Sequence, residues 1–306
     1  MVQMTQQFAD FLGGTKFREM SMDADKELAK PMFEQLFKVK KSDSYSEKTS
    51  GMTGFGMAGL KTQGQSVKYD QPHQLFDQEI TNIVYSIGTK VTYEMALNNK
   101  WDLIAKYPKW MAKTLDYTID VKCAVVFNSG TAVTYYTTAA SEALFKDTHV
   151  NLTAASSGGD NIHTAAALSQ TGLQAAIDDW GGWTNHRGQK LNIDPKYLLI
   201  PRQLKWKAGE LLKSAQQPET ANNAYNVILD ENLVAVQWNQ LTSTTRWFLL
   251  AKPADHTLTF YKRDGFGTPK MDHDYDHNTW DLSVNRGKYF GIGFPDWIGV
   301  STNAGA

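Results

Sequence analysis

Lys40 to Gln71 read KKSDSYSEKTSGMTGFGMAGLKTQGQSVKYDQ, a run of Ser, Gly, Thr, Lys and Gln with the composition of a loop. Loops of this length are uncommon inside compact domains. Those that occur are functional, disordered, or reach away from the body toward a partner. Met52, Phe55, Met57 and Leu60 favour the third reading, because a solvated linker has no use for large apolar side chains. These four are the candidate contact residues of the chain.

On the C-terminal side, the next legible element is Asn99 to Asn128. Trp101, Ile104, Pro108, Met111, Leu115, Ile119, Cys123 and Val126 are separated by steps of three and four, which is one buried face of a long helix. At 1.5 Å per residue it would run roughly 40 Å. Asn98 or Asn99 is the expected cap and Pro108 the expected kink. Helices this long serve as spines. On the N-terminal side, residues up to Met22 offer little periodicity. Ala24 to Val39 places Leu28, Met32, Leu36 and Val39 at helical spacing, interrupted by Pro31: an arm and a short helix.

Beyond the spine, a Thr-rich and Ser-Gly-rich passage ending at Gly158 and Gly159 opens a second region. Leu173, Ile177 and Trp180 form a helix stopped by Gly181 and Gly182. Tyr197 to Ile200 is a strand, and Pro201 begins a helix whose buried stripe is Leu204, Ala208, Leu211 and Ala215. Three more strands follow: an alternation at Val234, Val236 and Trp238, a buried run at Trp247 to Ala251, and Leu258 to Tyr261. From Pro269, the residues Trp280, Leu282 and Val284 share a strand face. Tyr289, Ile292, Phe294, Trp297 and Ile298 come next, in a tail expected to pair back onto the spine region. The class is α+β.

Composition narrows the function. A chain of 306 residues, 42% hydrophobic and 12% aromatic, buries a sizeable core. With 31 basic and 32 acidic residues, its formal net charge of -1 argues against a polycation that neutralises nucleic acid. Cys123 is the only cysteine and sits among Val121, Ala124 and Val125, so it reads as a small buried hydrophobe in a reducing cytosol. No stretch approaches the ~20 apolar residues of a membrane span, and Met1 to Phe11 lacks the pattern of a secretory signal. The expectation is a soluble protein made in the cytoplasm.

Chemical motifs are weak. Gly54-Phe55-Gly56-Met57-Ala58-Gly59 matches the dinucleotide fingerprint G-x-G-x-x-G, with Glu79 where a ribose-binding acid would lie. That motif needs a buried strand before it and a helix after it, whereas Ser42 to Ser50 and Lys61 to Gln65 offer neither. His273, Asp274, Tyr275, Asp276 and His277 are possible metal ligands, but strand alternation places the two histidines on one face without both aspartates. A hydrated strand edge is the better account. Ser129-Gly130 lacks the flanking glycine of a nucleophile elbow. His163 and His186 show no ligand spacing. No catalytic, cofactor or metal residue is assigned.

The order of arm, long loop, spine, α+β region and closing strands resembles the Hong Kong 97-type capsid fold. Leu144-Phe145 with His149, Leu198-Leu199-Ile200-Pro201, Asn222 to Val227, and Arg246-Trp247-Phe248-Leu249-Leu250-Ala251 resemble the Mu-like major head subunit family of tailed bacteriophages. The resemblance covers nearly the whole chain. It implies a wedge-shaped subunit with an N-terminal arm and short helix (1–39), an extended loop (40–90), a peripheral domain with the spine (91–155), an axial domain (156–268) and closing strands of the peripheral domain (269–306).

The resemblance further implies a structural protein, not an enzyme, without cofactors. Its copies would join as pentamers and hexamers of an icosahedral shell around double-stranded DNA, assembled in the host bacterial cytoplasm with scaffolding, portal and decoration proteins. In such shells the extended loop lies across an adjacent subunit, a reason for Lys40 to Gln71 to be long and apolar in part. One chain can occupy rings of five and six only through repeated, slightly adjustable contacts. An encapsulin-like compartment around a cargo enzyme shares the fold and is the alternative.

Overall fold

The computed structural model describes residues 31–98, 104, 106–150, 159–214, 216, 225–263, 270–276, 279 and 281–305. Helix α1 (Phe33–Leu36) leads into β1 (Lys38–Ser42); β2 (Ser46–Met52), β3 (Gln74–Thr81) and β4 (Ile83–Val91) follow. Then come α2 (Tyr93–Leu97) and the spine α3 (Tyr107–Asn128). The second region holds β5 (Ile162–His163), α4 (Gln170–Trp180), β6 (Tyr197–Ile200), α5 (Lys205–Lys213), β7 (Val234–Gln237) and β8 (Trp247–Leu250). The chain closes with β9 (Thr259–Arg263), β10 (Lys270–Tyr275), β11 (Leu282–Gly293) and β12 (Val300–Asn303).

The first sheet is built around β11, which pairs antiparallel with β4, β9 and β10, while β1 runs parallel to β9. The second has the order β5-β12-β8-β6-β7. Its centre is β8, Trp-Phe-Leu-Leu, with all four residues buried. A strand covered on both faces has no polar side to show, so it reads as a continuous apolar run. At the sheet's edge, β7 leaves Val234 exposed and buries only Val236, with Trp238 buried just beyond the strand.

The spine begins at Tyr107, with Pro108 in its first turn. Pro108 is therefore no kink: its missing N–H is one that the first turn leaves unpaired in any case. Asn98 closes α2 by donating its N–H to Glu94 O at 2.9 Å, while Asn99 and Trp101 lie outside the described residues. The 22 spine residues span about 33 Å. Pro108, Met111, Leu115, Ile119, Cys123 and Val126 are buried as the spacing requires. Ser169 caps α4, its Oγ accepting the Gly172 N–H at 3.1 Å, and Gly181 follows the last turn.

Three expectations need correction. Within the described part of 24–39, only Phe33–Leu36 is helical, and Val39 lies in β1. Pro31, which disfavours helix for the residue before it and lacks an N–H, stands directly ahead. Strands β2 and β3 occupy the two ends of what reads as one loop, and β4 joins the first sheet through nine paired residues of β11. Finally, the tail divides: β11 meets the spine's sheet, but β12 crosses to the second sheet between β5 and β8. The fully apolar β8 needs a partner on each edge, and β12 fills the one that β6 leaves open.

Replacing the wholly buried Leu249 by alanine is expected to cost about 2–5 kcal/mol through lost burial and the cavity left behind. Urea unfolding checks this as a lower midpoint with an unchanged slope.

Candidate functional site

Strands β2 and β3 form an antiparallel ribbon from Ser46↔Thr81 to Met52↔Gln74, with a register shift between Ser50 and Met52. Such a bulge bends the ribbon and sharpens its twist. Hydroxyls and charges line it: Ser46 Oγ donates to Glu79 Oε1 at 2.5 Å, Lys48 stands 3.7 Å from Glu79, and Gln74 Nε2 donates to Ser50 Oγ at 3.1 Å. The ribbon's base is anchored in the body. Ile80 is buried where Gly291 and Gly293 of β11 leave room that a Cβ would take. Asn82 Nδ2 donates to Ser42 Oγ at 2.8 Å and Gln78 Nε2 to the Thr137 carbonyl at 2.6 Å.

Residues 53–73 carry no strand or helix. At their neck, Thr53 and His73 exchange bonds, Thr53 N to His73 O at 2.8 Å and His73 N to Thr53 Oγ1 at 2.9 Å. The predicted contact residues stand in solvent: Met52, at the end of β2, is 67% exposed, and beyond the neck Phe55 is 63%, Met57 89% and Leu60 91% exposed. Within the chain most of their apolar surface stays in water. Val67 and Tyr69 are also exposed on this tip; the polar residues around them mask them in the sequence. The glycine fingerprint lies on the same irregular tip. The ribbon strand before it has no buried residue and no helix follows, so a pyrophosphate meets no helix N-terminus.

A second cluster surrounds Asn161, which is fully buried. Its Nδ2 donates to Leu144 O at 2.7 Å and Val300 O at 3.1 Å, while its Oδ1 accepts from His149 Nε2 at 2.9 Å. His149 stacks on Trp297, ring centroids 4.5 Å apart, and its Nδ1 lies 3.4 Å from Glu142. The Leu144-Phe145 and His149 pattern thus marks the joint between the chain after the spine and β12.

A third constellation escaped sequence reading. His163 Nδ1 is 2.8 Å from Asp179 Oδ2 and its Nε2 is 2.9 Å from Ser301 Oγ, the order of a hydrolase triad. Ser301 is wholly buried, and its oxygen also accepts the Trp180 indole N–H at 2.8 Å. No carbonyl substrate can approach that oxygen, so the network ties β12 to β5 and α4. Its members come from segments 138 residues apart, and no local motif records such a distance.

Among the described residues, no group of three His, Cys, Asp or Glu is placed to hold a metal. The backbone of His273 and Asp274 pairs with β11, and His277 lies outside the described residues. No described helix is long and apolar enough to cross a membrane.

Residues 78–303 match the model of a family described as phage capsid protein. No curated protein matches the sequence. Among solved structures, the capsid of a native GTA particle is similar with a TM-score of 0.59 at 11% identity, over 90% of this chain and 91% of that one. The capsid of cyanophage P-SCSP1u gives 0.57 at 12% identity, covering 90% and 88%. The capsid of Ralstonia phage GP4 gives 0.57 at 12% identity, covering 88% and 86%. At such identities the likeness is one of fold, and it is the α+β, Hong Kong 97-type architecture.

Two outcomes follow from the buried clusters. Ser301→Ala leaves the Trp180 N–H and His163 without their partner and is expected to cost about 1–3 kcal/mol, read by tryptophan fluorescence on unfolding. The wild-type chain should remain unlabelled by an organophosphorus serine probe.

Acid should weaken the subunit. Burial pushes the imidazolium of His256, whose Nδ1 accepts the Leu258 N–H at 3.2 Å, from 6.5 down to about 4. Burial also lowers His149. The unfolded chain takes up these protons at higher pH than the folded one, so this stability is complete above about 6.5 and is lost as pH falls toward 4. His256 alone accounts for roughly 3 kcal/mol. Urea midpoints at neutral and acid pH measure it, and His256→Gln should flatten the decline.

Proposed function

The chain belongs to the phage capsid protein family, and from that membership we propose that its copies join as pentamers and hexamers of an icosahedral tailed-phage head. The shell encloses double-stranded DNA, which a subunit of net charge -1 contains without gripping by sequence. Assembly takes place in the host cytoplasm with scaffolding, portal and decoration proteins as partners. The work is structural, without catalysis or cofactor.

One observation carries this reading: the ribbon projects Met52, Phe55, Met57 and Leu60 into solvent, 63–91% exposed. A neighbouring copy covering them supplies the burial that the subunit itself does not, at about 25 cal/mol for each Å² of apolar surface removed from water. An irregular tip, without strand or helix, also adjusts to the small angular difference between rings of five and six.

Electron microscopy of the expressed chain, alone and beside its scaffolding protein, should reveal rings and closed shells, and extracted particles should contain double-stranded nucleic acid. A monodisperse monomer under every condition would sink the proposal, and a protein cargo in place of nucleic acid would favour a compartment shell. In the double variant Phe55→Asp with Met57→Asp, assembly should be lost while subunit stability stays within about 0.5 kcal/mol, as for exposed positions generally.

A further inference from the structure

The turn following α4 is unusually well tied. Thr184 and Lys190 form an antiparallel bridge, Asn185 N donates to Gln189 O at 2.8 Å, and Gly188 N donates to Asn185 O at 2.9 Å. Asn185 Oδ1 accepts the N–H groups of Arg187 at 2.9 Å and Gln189 at 3.0 Å. Gly188 takes φ +75°, a conformation that costs glycine little. Arg187 therefore leaves the body from a rigid platform.

Its guanidinium crosses to the neck of the β2–β3 ribbon. Nε donates to Thr53 Oγ1 at 3.3 Å, one terminal nitrogen donates to the Gln71 carbonyl, and the other lies 3.5 Å from the Asp70 carboxylate. Beside it, Gln189 Nε2 donates to the Phe55 carbonyl at 3.3 Å. Asp70 in turn accepts the Gly56 N–H at 2.7 Å, closing the neck across the ribbon. The Arg187 side chain is only 14% exposed. Between this contact and the anchored base, a cleft of about 190 Å³ separates Leu75 and Phe76 of the ribbon from Pro295 and Trp297 of the body. The ribbon is held at its two ends and spans a gap.

We propose that Arg187 is a latch that fixes the direction in which the ribbon presents its apolar tip, so that a subunit meets its neighbour with the contact already aimed. This rests on the reading that the tip contacts a second copy. The latch grips the neck and not the tip, which leaves Phe55, Met57 and Leu60 uncovered for that neighbour. A two-stranded ribbon has too little core to hold its own direction. Without the latch, each association step would have to order the ribbon, and that cost recurs at every interface of a shell. Arginine suits the task because its planar fork serves a hydroxyl, a carbonyl and a carboxylate at once, which a lysine ammonium does with less geometric control.

The test compares the full-length wild-type chain with Arg187→Ala and Arg187→Lys. In unassembled Arg187→Ala, hydrogen exchange at the amides of Thr53, Gly56 and His73 should rise about tenfold or more, with the amides of β8 and the thermal midpoint unchanged. Assembly followed by light scattering should need about tenfold more protein, and Arg187→Lys should fall between. Two results overturn the latch: neck amides as protected in Arg187→Ala as in wild type, or assembly at the wild-type rate or faster, the last being the mark of a contact that restrains the tip. If the wild-type chain fails to assemble, the capsid reading falls, and the exchange measurement alone decides whether Arg187 holds the neck.

Discussion

Phe127, one residue before the end of the spine, is the point on which the two sheets depend. Its ring is wholly buried and meets Phe37, Trp238 and Phe248 edge-on, with centroids 5.9, 5.9 and 5.4 Å away. Those three rings arrive from the segment before β1, the end of β7 and the centre of β8. Edge-to-face packing has narrow geometric demands, so the last turn of the helix dictates where the second sheet stands. Polar bonds repeat the connection: Trp238 Nε1 donates to Asp120 Oδ2 at 3.2 Å, and Asn128 Nδ2 donates to the Gln240 carbonyl at 2.9 Å. Toward its start, the same helix is tied to the first sheet by Lys288 with Asp116 and by Arg286 Nη1 donating to Pro108 O at 3.2 Å.

A single hydrophobic cluster runs through both regions as a result. Rigidity of this kind suits a shell subunit, because the stress of closing a curved surface then falls on its thin projections rather than on the core. The ribbon is the opposite: half-buried on one face, exposed on the other, largely polar, and tied to the body where Ile80, Asn82, Gln78, Arg187 and Gln189 meet it.

The elements legible in the sequence are those whose burial is one-sided or complete. The spine's steps of three and four, the apolar run of β8, and α4 between Ser169 and Gly181 each encode their surroundings locally. The ribbon strands could not be read in that way. Ser46, Lys48 and Ser50 alternate with Glu47 and Thr49, but neither face is buried, so the two-residue period has no apolar signal to carry. Pro108 was ambiguous for a different reason: the same residue kinks a helix in mid-course and opens one at its start, and only the position of the first turn separates the two. The exposed apolar residues of the tip stand out because large apolar groups among Gly and Ser have no local purpose. Arg187, Ser301 and the destination of β12 stayed hidden, since each is defined by a partner at least 50 residues away in the chain.

Cys123 lies fully buried on the spine's inner face, and burial pushes its thiol well above the ordinary range. A thiol that stays protonated and covered does not react with maleimides or disulfides at neutral pH. Since the chain has no other cysteine, a single one introduced on the surface would be the sole reactive group of each subunit. A particle built from such subunits would take up dyes, ligands or antigens in one defined ratio, with its interior sulfur left untouched.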